Sequence, residues 1–398
     1  MKAVCFYFQV HQPRRIRKFR HIDIGETPDY FNDSSDTNRN NEKIMKKVAQ
    51  KCYLPTNRVL LSLLNKHPEF RVSFSLSGLA MDQMEEYTPE VIESFQELVA
   101  TGRVEILAET YYHSLSFLYS TEEYKKQVAL HRQKVKKLFK VTPTVFRNTE
   151  LIYNDELGKL IEEMGYKAVL TEGADHILGW QSPQYLYHAA GTKNLKLLLK
   201  NYRLSDDIAF RFGNQGWNEY PLTSEKFAHW VSETQGDIVN LFMDYETFGE
   251  HQWEDTGIFS FLESLPEALL NQGIQFVTCS EALKIFEVKG ELSIQEYISW
   301  ADVERDLSAW RSNDMQKDAL AKLFGLEQQV KATKNKQLVD DWRRLTTSDH
   351  FYYMCTKWFN DGDVHKYFNP YESPYEAFRY FMNVLTDISL RIPKKGSA

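Results

Sequence analysis

Seven times along this chain a short apolar run stops abruptly at polar, often ionisable, residues. Ala3–Val10 leads to His11-Gln12-Pro13, and Arg71–Leu76 leads to Ser77-Gly78. Val104–Leu107 leads to Glu109 and His113, Thr144–Phe146 to Arg147-Asn148-Thr149-Glu150, and Ala168–Leu170 to Thr171 through His176. Ile238–Met243 ends at Asp244, and Gln275–Val277 at Thr278 through Glu281. These runs are nearly continuous in apolar residues, the signature of strands buried on both faces of a parallel sheet.

Helical spacing fills most of the intervals: Asn57–Lys66, Pro89–Thr101, Thr121–Lys140, Asn154–Gly165, Ser224–Gln235 and Gly257–Gln272. Pro89 and Ser224-Glu225 suit helix starts, and Gly102, Gly165 and Gly273 suit helix ends. Strand–helix alternation predicts a parallel sheet with covering helices. Seven units suggest a barrel, in which reactive groups collect at the C-terminal ends of the strands. Residues 184–211 read as an inserted hairpin with arms Tyr185–Ala189 and Leu195–Leu199. The Arg-, Asn- and Asp-rich stretch Ile16–Lys43 is too long for a plain connector and reads as a functional or mobile loop. From about Glu291 the strand pattern stops, and Asp302–Ala309, Met315–Thr333, Gln337–Thr346 and Pro374–Leu390 read as helices. The division expected is a barrel over residues 1–290 and a helical domain over 291–398 that completes a substrate cleft.

The net charge of -7 argues against a nucleic-acid partner, which calls for a basic excess. Arg14, Arg15, Arg17, Lys18 and Arg20 cluster, and read as a solvated loop, with a small anion-binding patch as the alternative. Cys5, Cys52, Cys279 and Cys355 form no CxxC pair, and reduced thiols in a cytoplasmic protein account for them. The N-terminal apolar stretch is short, interrupted by Gln9 and followed by no small-residue cleavage site. No run approaches the ~18 apolar residues of a membrane span. Aromatic residues make up 14% of the chain, and several adjoin polar groups, as in Tyr111-Tyr112-His113, Trp217-Asn218 and Trp300-Ala301-Asp302. Such pairs suit sugar rings, with their apolar faces and polar edges, although amphipathic aromatics also fill ordinary barrels.

The densest chemistry lies in DIVNLFMDYETFGEHQ, residues 237–252, where Asp244, Glu246, Glu250 and His251 follow one apolar run. Glu150 ends the fourth run and Asp244 the sixth. Two carboxylates at one barrel mouth can cleave a glycosidic bond, one as nucleophile and the other as acid/base; a separation of about 5–5.5 Å gives retention and about 6.5–9.5 Å inversion. The charge of Glu150 would raise the pKa of Asp244 and keep it protonated. The structural alternative is a pair of carboxylates that cap helices or pair with Arg147. His11 and Gln12 could donate to a sugar hydroxyl, or His11 could orient Glu150. Glu109, His113, Arg147, Glu246 and His251 are further candidates for substrate contact. Trp217, Trp253 and Trp358 could stack on sugars.

The motifs HQP at His11, SLSG at Ser75–Gly78, FRNTE at Phe146–Glu150, MDYETFGEH at Met243–His251 and TCSE at Thr278–Glu281 occur in order at fitting intervals. Together they resemble the five sequence regions of glycoside hydrolase family 57, most nearly its intracellular α-amylases. Ser299-Trp300-Ala301-Asp302, Asp306 through Trp310, and Thr347 through Tyr353 extend the likeness into the C-terminal part. Arg311-Ser312-Asn313 departs from it, since a smaller or apolar residue and a Gly before Asn are expected after Trp310.

The resemblance implies an incomplete (β/α)7 barrel followed by a C-terminal α-helical domain, and a retaining enzyme acting on α-1,4-glucans or maltooligosaccharides. By the same resemblance Glu150 is the nucleophile, Asp244 the acid/base and His11 a sugar-binding histidine, while Asp349 and Trp358 lie where helical-domain residues of relatives can reach the site; Trp310 is a further candidate for substrate contact. No cofactor and no catalytic metal are implied. Two rival readings use the same scaffold: a 4-α-glucanotransferase and a non-catalytic glucan-binding protein. A metal-dependent polysaccharide deacetylase would need a His-x-x-x-His pair, a spacing absent among the 11 histidines; a zinc site formed by two or more of His11, His113, His176 and His251 is the minority reading.

Overall fold

The structure is a computed structural model that describes residues 1–31, 33–357 and 369–393. Its first sheet is built on β1 (Ala3–Val10), every residue of which is buried. Alternation along the strand divides its side chains between two cores. Val4, Phe6, Phe8 and Val10 pack outward against helices, whereas Ala3, Cys5 and Tyr7 point into the interior. Each large apolar side chain so buried contributes about 1.5–3 kcal/mol.

The remaining strands in chain order are β2 (Val72–Leu76), β3 (Val104–Ile106), β4 (Val145–Arg147), β5 (Ala168–Glu172), β6 (Leu186–Ala189), β7 (Lys196–Lys200), β8 (Ile238–Asp244), β9 (Gln275–Phe276) and β10 (Val288–Leu292). One sheet runs β3-β2-β1-β8, and the other runs β10-β6-β7-β5-β4. A parallel bridge between Ala108 and Phe146 joins the two sheets beside β3 and β4. On the other side the Asn201 N–H donates to the Asn240 carbonyl (2.9 Å), and the Asn240 side chain donates to the Leu199 carbonyl (2.9 Å). The C-terminal ends of β1, β2, β4, β5, β7 and β8 therefore open on the same side.

Two sequence expectations change here. The expected hairpin forms, with β6 antiparallel to β7 and Tyr187 paired with Leu197 and His188 with Lys196, but it is not an insertion: its second arm, β7, pairs in parallel with all five residues of β5. Its Leu197, Leu198 and Leu199 are wholly buried, as a central strand requires. The run at Gln275–Val277 supplies only the two-residue β9, against the start of β1. The six expected helices form, at Leu54–Lys66, Pro89–Ala100, Thr121–Phe139, Asp155–Glu163, Ser224–Glu233 and Ile258–Asn271. The segment from Ile16 is pinned rather than free: Tyr371 accepts from the Ile16 N–H (3.1 Å), and Asp387 from that of Gly25 (2.6 Å).

Helices at Asp314–Gly325, Glu327–Ala332, Lys336–Arg344, Ser348–Tyr352 and Pro374–Arg391 form the C-terminal part. They share one core with the outer faces of β4, β5 and β7. The expected helix over Asp302–Ala309 is instead a loop up to Leu307, with Asp302 and Arg305 in the left-handed region, and only Ser308–Arg311 is helical. The irregular Arg311-Ser312-Asn313 step has a local cause: Asn313 caps the next helix and donates to the Met354 carbonyl (2.8 Å).

Two short backbone bridges dock C-terminal segments on the strand ends. Tyr153 pairs with Ile298, and the Trp300 N–H donates to the Glu150 carbonyl (3.2 Å). Ser114 pairs with Thr347, and the Ser348 N–H donates to the His113 carbonyl (2.9 Å).

Candidate active site

Inside the strands the apolar layer gives way to polar groups towards the C-terminal ends. The Tyr7 hydroxyl donates to Gln9 (2.8 Å) and lies 2.6 Å from the Ser75 hydroxyl, while Gln9 donates to Glu109 (3.0 Å). Above this layer opens a cavity of about 790 Å³ whose lining includes His11, Gln12, His113, Glu150, Asp244, Glu246, His251 and Asp349.

Glu150 lies just past β4 with φ 59°, and His113 has φ 49°. Non-glycine residues reach this left-handed region at a cost of about 1–3 kcal/mol and do so disproportionately at functional sites. Three donors hold the Glu150 carboxylate. Trp300 Nε1 donates to Oε2 (2.7 Å), while His113 Nε2 (3.2 Å) and the Ser348 hydroxyl (3.1 Å) share Oε1. Burial alone would raise its pKa, but the hydrogen bond and charge of His113, aided by Arg147, outweigh burial and lower it.

His113 bridges two carboxylates, Glu109 through Nδ1 (3.1 Å) and Glu150 through Nε2 (3.2 Å). Burial opposes its charge, yet the two acceptors raise its pKa to about 9, so both ring nitrogens donate. Glu109 is fully buried, and despite that burial the His113 bond and charge lower its pKa to about 2. His11 stacks on His113 with ring centroids 4.0 Å apart. Burial and the His113 charge lower the pKa of His11, so it is neutral. Asp349 stays ionised, because His11 and His113 overcome burial and lower its pKa. His11 Nε2–H therefore donates to Asp349 (3.0 Å), and Nδ1 accepts from Ser77 (2.7 Å).

Asp244 ends β8. Burial first, and the Glu150 charge second, raise its pKa to about 6, against Arg147, His113 and Lys200. Beside it Glu246 is raised to about 8 by burial and the Asp244 charge, and it accepts from Tyr53 and from Gln12 (3.4 Å). His251 is lowered to about 4 by burial. One carboxylate is thus stabilised in its charged form while another, in the same cavity, takes up a proton at mildly acidic pH. Such divergence separates a nucleophile from a proton donor.

Several of the residues selected from the sequence sit elsewhere. Arg147 is fully buried beneath the Trp300 ring and does not line the cavity. Glu109 is buried behind His113. Trp217 packs on Trp230 (6.1 Å), and Trp310 is buried against Tyr352 (6.3 Å) in the helical core. None of these four can touch a substrate in the cavity. His11 contacts His113 rather than Glu150. Trp358 lies outside the described residues.

Sequence reasoning gave no defined role at the site to other groups, although Trp300 stood among the aromatics suited to sugars and Arg15 in the basic cluster. Trp300 reaches Glu150 from the docked 298–300 segment, and Arg15 from the basic cluster lines the cavity. Lys200, at the end of β7, pairs with Asp206 (3.0 Å), while Arg305 donates to Glu172 (2.8 Å). The apolar run before Lys200 was a usable signal; Arg305 sits in a segment read as helix and had none. Among the described residues, no group of three or more His, Cys, Asp or Glu side chains is placed to hold a metal ion, and no helix is long and apolar enough to cross a membrane.

Parallel strands with covering helices, and a cluster of carboxylates at their C-terminal ends, define a glycosidase-like α/β enzyme. Residues 5–295 match the model of glycosyl hydrolase family 57, and the chain belongs to that family. It is 41% identical over 401 residues to a Methanocaldococcus jannaschii protein named "Putative alpha-amylase", covering 98% of this chain and 84% of that one. The fold is similar to that of a branching enzyme from Thermococcus kodakaraensis, with a TM-score of 0.71, 15% identity, and coverage of 97% of this chain and 89% of the other. It is also similar to a 4-alpha-glucanotransferase from Thermococcus litoralis, with a TM-score of 0.65 and 16% identity; the match covers 88% of this chain and 56% of that one. These structures share with it an α/β barrel-type part and a helical C-terminal part.

Proposed function

We propose that this enzyme cleaves α-1,4-glucans with retention of anomeric configuration. Glu150 attacks the anomeric carbon and forms a β-glucosyl-enzyme, while Asp244 gives its proton to the departing glycosidic oxygen. Asp244 then removes a proton from water, and the hydroxide oxygen displaces Glu150 to release the α-anomer. The observation that carries this reading is the opposite tuning of two carboxylates in one cavity: Glu150 is held ionised by His113, and Asp244 is raised to about 6 by burial and by Glu150. His11, Gln12, Asp349, Glu246 and His251 line the same cavity and supply hydrogen-bonding groups for sugar hydroxyls.

Glu150→Gln keeps the shape of the side chain and removes the nucleophile, so turnover of maltoheptaose falls by at least about 10⁴-fold with an unchanged circular dichroism spectrum. Wild-type turnover in that variant would remove the assignment. A 4-α-glucanotransferase would use the same two carboxylates with a sugar 4-hydroxyl in place of water. The relatives' names, alpha-amylase and 4-alpha-glucanotransferase, support both outcomes. Chromatography of products from maltotriose separates them: gain of reducing ends marks hydrolysis, and longer oligosaccharides mark transfer.

A further inference from the structure

Arg147 is buried with no exposed surface, and none of its three guanidinium nitrogens meets a hydrogen-bond partner among the described residues. A buried cation without hydrogen bonds costs several kcal/mol, so its retention calls for compensation from the field around it. Its charge acts on Glu109, Glu150 and Asp244, which surround it without forming an ion pair with it. Its direct neighbour is Trp300, with the guanidinium carbon 4.7 Å from the ring centroid and Lys200 Nζ 5.3 Å from the same ring. The indole N–H of that ring is the shortest hydrogen bond that Glu150 accepts.

We infer that Arg147 is a positioning residue that acts through Trp300: the buried guanidinium supports and polarises the indole, and the indole holds Glu150 Oε2. A cation over an aromatic face draws π density towards itself and strengthens the ring N–H as a donor. The paired backbone of Tyr153 with Ile298, and of Glu150 with Trp300, fixes the ring beside the carboxylate. Arg147 thus does for one Glu150 oxygen what the Glu109–His113 pair does for the other. The inference rests on Glu150 being the reacting carboxylate. The charged groups facing this assembly are Glu109 and His113 from the β3 end, Glu172 from β5, Lys200 from β7, Asp244 and Glu246 from β8, His11 from β1, and Asp349 and Arg305 from the C-terminal part.

The test uses Arg147→Met, Arg147→Lys and Trp300→Phe in the full chain. The Trp300 indole ¹⁵N–¹H resonance, identified by its loss in Trp300→Phe, reports the ionisation of Glu150 directly. Its titration midpoint moves to higher pH in Arg147→Met and returns towards wild type in Arg147→Lys. The acid limb of the kcat/KM profile on maltoheptaose moves to higher pH in Arg147→Met, and moves less when Trp300 is already Phe, whereas the alkaline limb moves equally in both backgrounds through the direct charge of Arg147 on Asp244; KM stays within about two-fold. In Trp300→Phe the acid limb alone moves.

An unmoved midpoint and unmoved limbs with activity lost equally at every pH would overturn the inference, as would a large rise in KM with fixed limbs, the mark of a substrate contact. If Arg147→Met does not fold, Trp300→Phe decides, since an acid limb at its wild-type position excludes the Trp300 route. A wild-type protein without glucan turnover but with a titrating indole would sink the proposed function and leave Arg147 to be judged on the resonance.

Discussion

At the end of β4, Glu150 is gripped by donors from three separate segments: His113, Trp300 and Ser348. At the end of β8, Asp244 accepts no hydrogen bond among the described residues, and its neighbour Glu246 is a second acid. The buried glutamates behind the two positions differ as sharply. Glu109 is held down at about 2 by His113, whereas Glu246 is pushed up to about 8 by burial and Asp244. Around β4 each negative charge is answered by a positive one and a fixed bond; around β8 the charge is suppressed by retaining a proton. The first construction suits a group that must stay ionised and still while a covalent bond forms. The second suits one that must give and regain a proton.

The largest effects come from exchanging the two ends. Glu150→Ala and Asp244→Ala should both lose glucan turnover, by at least about 10⁴-fold for Glu150 as the proposed nucleophile and about 10²–10⁴-fold for Asp244 as the proposed acid/base. Azide distinguishes them. In Asp244→Ala it attacks the glucosyl-enzyme and gives the α-glucosyl azide; in Glu150→Ala it attacks substrate directly and gives the β-azide. Azide products of reversed configuration would invert the roles. The wild-type kcat/KM profile provides a milder test. Asp244 must be protonated to donate, so the alkaline limb falls near pH 6, and the acid limb lies below the ordinary carboxylate range because Glu150 is lowered. An alkaline limb above pH 8 would contradict the Asp244 environment described above.

Glu109→Gln removes a buried charge from a matched pair, leaves His113⁺ with one carboxylate partner, and turns an amide NH2 towards one of its two donors, His113 and Gln9. The expected loss of unfolding free energy is about 3 kcal/mol at pH 7, measured by urea denaturation. Glu109 has a folded pKa of about 2, below the ordinary 4.5. Its contribution is therefore present above pH 4.5 and lost as pH falls towards 2. The gap between wild type and variant should close over that window.

The contrast between these two ends was only half legible in the sequence. Apolar runs ending in Glu150 and Asp244 identified strand termini, because such runs are too short for helices and recur between helical patterns, as buried parallel strands do. Side-chain direction was not legible. Arg147 and Glu150 are three residues apart, yet one lies beneath Trp300 and the other in the cavity, owing to the left-handed turn at Glu150. Trp300 and Ser348 reach the site through backbone bridges between segments about 150 and 235 residues apart in the chain, Tyr153 to Ile298 and Ser114 to Thr347. Local periodicity carries no signal for such pairings. Lys200 was missed because an apolar run beside a Gly-containing turn looks like a hairpin whether or not its second arm enters the main sheet.

The smallest expected effect is the most discriminating, because it applies the Glu109 substitution to the other end. Glu246 is protonated near neutral pH, so Glu246→Gln replaces one neutral hydrogen-bonding group by another of the same shape. Tyr53 and Gln12 both donate to Oε1 of Glu246, and the amide oxygen of glutamine can take the same two bonds. At pH 6, kcat should stay within about three-fold of wild type and stability within about 1 kcal/mol. The sign of the pH dependence then separates the two glutamates. A carboxyl raised from 4.5 to about 8 on folding binds its proton more tightly in the native state. Wild-type stability therefore falls as pH rises from 4.5 to 8, and the variant lacks this decline. Urea unfolding at pH 5 and pH 8 reads the difference directly: Glu246→Gln should gain on wild type with rising pH, whereas Glu109→Gln should not. If Glu246→Gln instead costs as much as Glu109→Gln at both pH values, Glu246 is ionised, and Asp244 sits beside a charge that would hold its proton far more tightly than an alkaline limb near pH 6 allows.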